Sequence, residues 1–286
     1  MRIITAVTRQ ASFVSQLRAR WQQHQTLVCV GLDPDAGRLP AGLEPDAEGI
    51  FDFCRQIVDA TAEFVCAFKP QAAYFGALGL EDELARLIGH IHDQHSGIPV
   101  ILDAKRGDIG ATAKLYAREA FERYGADAVT VNPYLGEESV LPYLEYGDKG
   151  VVLLCRTSNP GSPWLQDFPE QDPLFFRVAR AAAARNTTGN VMLVAGATYP
   201  EDLARSRACA GDMPVLVRVI GAQGGDLTRV LQSGADSAGR GLVINASRSV
   251  LYAASDETFA AAAAGAAREL RDQIRAVKPA LEPAAG

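Results

Sequence analysis

The chain has 286 residues, 48% hydrophobic and 22% charged, enough to bury one large core or two small ones. Its net charge of −6 argues against a surface that coats nucleic acid, but leaves room for a small phosphorylated ligand in a local cationic pocket. No apolar run approaches the roughly 18 residues of a membrane helix, and the N-terminus lacks the apolar segment of a secretory leader.

Short apolar runs rich in Val, Ile and Leu recur along the chain, and each is predicted to be a strand. They are 26–33 (TLVCVGLD), 63–70 (EFVCAFKP), 99–106 (PVILDAKR) and 127–134 (DAVTVNPY), then 150–158 (GVVLLCRTS), 190–198 (NVMLVAGAT), 213–221 (MPVLVRVIG) and 241–249 (GLVINASRS). They are apolar throughout rather than alternating, as expected of parallel strands buried on both faces. Amphipathic segments at 47–64, 80–95, 110–125, 172–186 and 258–277 read as helices, the third ending at Gly125 as a helix C-terminus should. Eight strands, each followed by a helix or a helix-length connection, predict a single (β/α)8 TIM barrel spanning 1–286, with a short helical N-terminal lead-in and a loose tail at 278–286. An open doubly wound sheet would need a Gly-rich phosphate loop after the first strand; the turn there, GLDPDAGRLP, has none.

Barrel chemistry sits at the C-terminal strand ends. In order these carry Asp33, Lys69, Asp103 with Lys105, Asn132, Ser158 with Asn159, Thr198, Gln223 and Arg248. Asp103 and Lys105 stand at i and i+2 and so point to one side of a strand. Asp108 lies beyond, where it could simply cap the following helix. Carboxylates beside Lys69 and Lys105 keep both charged, which favours a lysine that donates a proton over one that attacks a carbonyl. The Gly-rich turn at 221–226, running into a helix, and Arg248 one loop later fit the recurring phosphate site after strands 7 and 8. The long polar loop 158–173 could close over a ligand.

None of the four histidines falls at a strand end; HIHDQH (90–95) reads as the end of a solvated helix, so no metal site is expected. Five scattered cysteines without a CxxC pair predict a reduced, cytoplasmic protein without disulfides.

The string DAKRGDIGAT (103–112) resembles that of a subgroup of orotidine 5′-phosphate decarboxylases. GLDPD (31–35), FKPQAAYF (68–75), NPYLGEES (132–139), TSNPGS (157–162), GAQGGD (221–226) and NASRSVLYA (245–253) look like further family motifs in family order. The resemblance implies conversion of orotidine 5′-phosphate to UMP and CO2 without metal or organic cofactor. Asp103 would lie against the substrate carboxylate, Lys105 would protonate C6, and Lys69 and Asp33 would hold the ribose and orient the charges. Ser158, with Asn159 beside it, would bind the pyrimidine, and Gln223, Gly224 and Arg248 the phosphate. Asp108 and Thr112 would reach into the neighbouring subunit of a homodimer. One departure stands at Arg218-Val219, where the family usually has Pro-Gly; it bears on the local backbone and the wall behind the pyrimidine.

Three other readings compete. A Schiff-base aldolase is disfavoured by the lysine argument. A Mg²⁺-dependent decarboxylase of a sugar phosphate would be stopped by EDTA. A non-catalytic nucleotide-binding module gives no reason to alternate Asp103 and Lys105.

Overall fold

Every predicted apolar run contains a strand in the computed structural model, which describes residues 11–218, 224–236 and 238–277. The strands are β1 (Val28–Leu32), β2 (Ala67–Pro70), β3 (Ile101–Arg106), β4 (Ala128–Val131), β5 (Gly150–Arg156), β6 (Val191–Gly196), β7 (Val215–Arg218) and β8 (Leu242–Ala246). All seven ladders are parallel, in the order β2-β1-β8-β7-β6-β5-β4-β3. The two ends of that series, β2 and β3, meet through the isolated bridges Phe68↔Val100 and Gln71↔Asp103, which brings the barrel almost to closure. Residues of β1, β2, β4 and β8 are buried throughout because helices cover the outside and side chains fill the inside.

The helix Ala47–Thr61 starts where the Asp46 carboxylate accepts the Gly49 N–H at 2.8 Å, and it buries Ile50, Phe53, Cys54, Ile57 and Val58 on one face. Glu81–Gln94 carries three acidic residues in its first turn, complementing the helix dipole, and buries Leu84, Leu87, Ile88 and Ile91. The lead-in helix Phe13–Gln23 crosses beneath the N-terminal strand ends. Phe13 N–H bonds the Asp148 carbonyl just before β5, at 2.9 Å, and the Arg20 guanidinium bonds the Val65 carbonyl just before β2. The predicted tail, 278–286, lies outside the described residues. Among the described residues no helix is long and apolar enough to cross a membrane.

One irregularity positions the site. The β3–β4 register shifts between Leu102 and Arg106, and Lys105 takes φ +45°, a left-handed conformation that only one other described non-glycine residue, Gln25, adopts. Regular alternation therefore ends at Lys105.

Candidate active site

A cavity of about 580 Å³ opens at the C-terminal ends of the strands, and all eight strands or the turns directly after them contribute to it. Asp33 follows β1, Lys69 is the next-to-last residue of β2, and Asp103 and Lys105 come from β3. Asp103 bridges the two lysines: Lys69 Nζ donates to Oδ2 at 2.8 Å and Lys105 Nζ to Oδ1 at 2.5 Å. Burial opposes ionisation of Asp103, but Lys69 and Lys105 outweigh it and pull the carboxyl down to about 2. Burial likewise works against the Lys69 ammonium, yet Asp103 and Asp33 prevail and hold its pKa above the ordinary lysine value. Lys69 is thus a fixed cation.

Two residues that line the cavity carry buried acceptors without a hydrogen-bond partner, Asp33 Oδ1 and Asn245 Oδ1. Buried polar atoms are normally satisfied, so both point to donors supplied from the cavity. Glycines permit close approach at two points of the wall: a Cβ on Gly196 would stand 3.1 Å from the Ser158 backbone, and one on Gly31 would strike Ser247 Oγ at 2.0 Å. Glycine lets the turns after β5 and β8 lean over the strands.

The loop after β5 is pinned rather than free. Arg156, 1% exposed, donates from Nε to Asp202 at 2.9 Å, from Nη1 to Ser162 Oγ at 2.9 Å and from Nη2 to Asp167 at 3.2 Å. Gln166 closes the loop onto Thr157, accepting its N–H at 2.9 Å, and lines the cavity itself. Of the loop 158–173, these bonds hold Ser162, Gln166 and Asp167 against the barrel.

Of the residues expected from sequence, Asp33, Lys69, Asp103, Lys105, Ser158 and Asn159 line the cavity together. Asp108 and Thr112 do not line it; Thr112 is exposed and Asp108 half-buried. Nor does Asp108 cap the helix Gly110–Arg118: Ile109 is the N-cap residue, and Asp108 Oδ1 only accepts the Ile109 N–H, at 2.8 Å. The helix starts at Gly110, with φ +56°, as expected of the segment 110–125, and only its cap differs. Arg248 is exposed and outside the lining, at the start of the turn Arg248–Leu251, and Gly224 begins the helix Gly224–Gly234. Gln223 lies outside the described residues. Asn132 turns away, its Oδ1 accepting the Tyr134 N–H at 3.0 Å. Arg218, the departure from the family pattern, ends β7 and faces the cavity.

Sequence reading missed Gln71, Tyr74, Thr130, Gln166, Asn245 and Ser247 as lining residues. Thr130 carried a usable signal, being the one polar residue within a β4 run of alanine and valine. A second cavity, of about 210 Å³ between residues 133–144 and the helix Leu174–Arg185, is apolar apart from rim charges such as the Glu137–Arg185 pair. Two of the histidines converge outside the barrel: His90 and His95 both bond Asp59 Oδ1, at 2.7 and 2.8 Å, and Arg55 takes Oδ2. These groups satisfy one another, and none of them lines the cavity at the C-terminal strand ends.

Residues 26–264 match the orotidine 5′-phosphate decarboxylase / HUMPS family. A protein of Azoarcus sp. strain BH72 named orotidine 5′-phosphate decarboxylase is 58% identical, over 93% of this chain and 99% of its own. One of Cupriavidus necator with the same name is 56% identical over 92% and 97%. Among solved structures, Leishmania donovani OMP decarboxylase superposes with a TM-score of 0.81 at 39% identity, covering 93% of this chain and 98% of its own. Family match, near-full-length relatives and shared barrel agree: this chain belongs to the orotidine 5′-phosphate decarboxylase / HUMPS family.

Proposed function

We infer that the chain is a carboxy-lyase that converts orotidine 5′-phosphate to UMP and CO2 in pyrimidine synthesis, with Lys105 as the proton donor and no cofactor. The observation that carries this reading is the Lys69–Asp103–Lys105 array at the barrel mouth. The bond from C6 to the carboxylate breaks and its electron pair stays on C6. The Lys105 ammonium then gives C6 a proton and is left as a neutral amine. Asp103, held ionised, stands against the departing carboxylate.

Magnitudes bound what each group supplies. A carbanion without an obvious electron sink calls for about 20 kcal/mol, the high end of enzymatic stabilisation. Two charges about 4 Å apart interact by ~4 kcal/mol at an effective dielectric near 20, so repulsion from Asp103 is one contributor among several. A cationic donor preorganised in a partly dry cavity is the larger one. The donor set also favours chemistry without a metal: both oxygens of Asp103 are occupied by ammonium groups, which repel a divalent cation.

In the same reading Asp33 and Lys69 hold the ribose, Ser158 and Asn159 the pyrimidine, and Gln223, Gly224 and Arg248 the phosphate. Asp108 and Thr112 complete the site of a second copy in a homodimer. The barrel acts as a single domain in the cytoplasm, where its five unpaired cysteines stay reduced. Loss of orotidine 5′-phosphate absorbance, unaffected by EDTA, is the expected activity; inhibition by EDTA would favour a Mg²⁺-dependent sugar-phosphate decarboxylase. Lys105→Ala should abolish turnover while UMP still binds, and undiminished turnover would remove Lys105 from the chemistry.

A further inference from the structure

We propose that Thr130 is a positioning residue for the proton donor: its hydroxyl holds the left-handed backbone of Lys105 and ties it to the carboxylate that Lys105's own ammonium grips. This rests on Lys105 being the donor.

Thr130 sits inside β4 between Val129 and Val131 and is 1% exposed. A hydroxyl there is unfavourable unless both of its hydrogen-bonding roles are used. Both are. Thr130 Oγ1 accepts the Lys105 backbone N–H at 2.8 Å and donates to Asp103 Oδ1 at 3.0 Å. Lys105 Nζ donates to that same oxygen at 2.5 Å. The result is a closed ring: from the Lys105 N–H through Thr130 to Asp103, and back through the ammonium to Lys105. Main chain and side chain of one residue are anchored to a single oxygen.

The ring lies where the β3–β4 register shifts and Lys105 adopts φ +45°. A residue with a Cβ resists that conformation, so something must stabilise it. In a regular ladder the Lys105 N–H would find a main-chain carbonyl of β4; here the hydroxyl replaces it. Threonine suits the task because its branched Cβ restricts χ1 and so fixes the oxygen. Valine has nearly the same shape and no hydroxyl, and in a strand of valines it would otherwise be the natural occupant.

The prediction is specific to the donor. Thr130→Val should fold and bind UMP within about threefold of the parent, while kcat falls about 10- to 100-fold, the loss expected when a reacting group is misplaced by about an ångström. Exchange of the UMP C6 hydrogen with D2O, which by microscopic reversibility uses the same donor, should slow by the same factor. Thr130→Ser, which restores both bonds, should recover kcat to within about threefold of the parent, as expected if the hydroxyl supplies the effect. Should the valine variant fail to fold, Thr130→Ala carries the same expectation. Unchanged kcat and exchange in a folded Thr130→Val or Thr130→Ala would overturn the proposal, as would a serine variant as slow as the valine one. The two levels separate cleanly. If Lys105→Ala is inactive and Thr130→Val is not, only the positioning role falls; if Lys105→Ala is active, the donor assignment itself falls.

Discussion

Asp103 binds two ammonium groups through its two oxygens, and this determines how the site responds to acid. Its carboxyl titrates near 2 in the folded chain against 3.8 for an ordinary aspartate. The unfolded chain therefore takes up the proton first as pH falls. The ion pairs contribute fully above about pH 4, and their contribution drains away between about pH 4 and 2, on the order of 2 kcal/mol in all. Asp103→Asn should accordingly be less stable than the parent at pH 7, with the gap narrowing below about pH 4. Thermal unfolding of both proteins from neutral to acid pH tests this; a gap independent of pH would show that the two lysines do not depend on the ionised carboxylate. Lys69, whose pKa is raised, stays charged over the whole of that range.

At the scale of elements, the turn after β5 shows how one buried side chain turns a loop into a wall. Arg156 joins Ser162 and Asp167 of the loop to Asp202 of the helix Pro200–Ala210 and stacks 4.0 Å from the Tyr199 ring. Arg156→Met should lower stability by about 2 kcal/mol, less than the 3–5 of a fully buried pair because both carboxylates reach water. Limited proteolysis should then nick within 158–173 and KM should rise; resistance equal to the parent would show that the loop is held otherwise. The strands were legible in sequence because fully apolar runs have few alternatives, and the acid–base pair because charge at such a run's end is conspicuous. Thr130 gave a signal by its polarity within an apolar run, but its strand propensity let it pass as an ordinary strand former. The left-handed turn at Lys105 was hidden because nothing in DAKR demands a positive φ. The helix Pro200–Ala210 read only as a connection, because it buries just Leu203, Ser206 and Ala210.

For the whole molecule, the proposed homodimer would use the face that carries Asp108 and Thr112. Leu115 is 60% exposed and Tyr134 68%, Ile109 and Leu135 are also open, and Thr112 is exposed in the same helix as Leu115. Exposed apolar side chains on the same segments as an acid outside its own chain's cavity lining suit the proposed isologous contact between two copies. Asp108→Asn and Lys105→Ala chains, each inactive alone, should regain activity when mixed, up to about a quarter of the parent's for random pairing of equal amounts, the closed twofold case; no recovery would mean that each cavity is complete by itself. The nearly closed sheet carries a last consequence. Between β2 and β3 the ladder thins to two isolated bridges, and the Lys69–Asp103 ion pair spans that gap. The site is thus mounted on a rivet: the carboxylate proposed to face the substrate also fastens the barrel where its ladder is thinnest, so whatever discharges it loosens the frame around it.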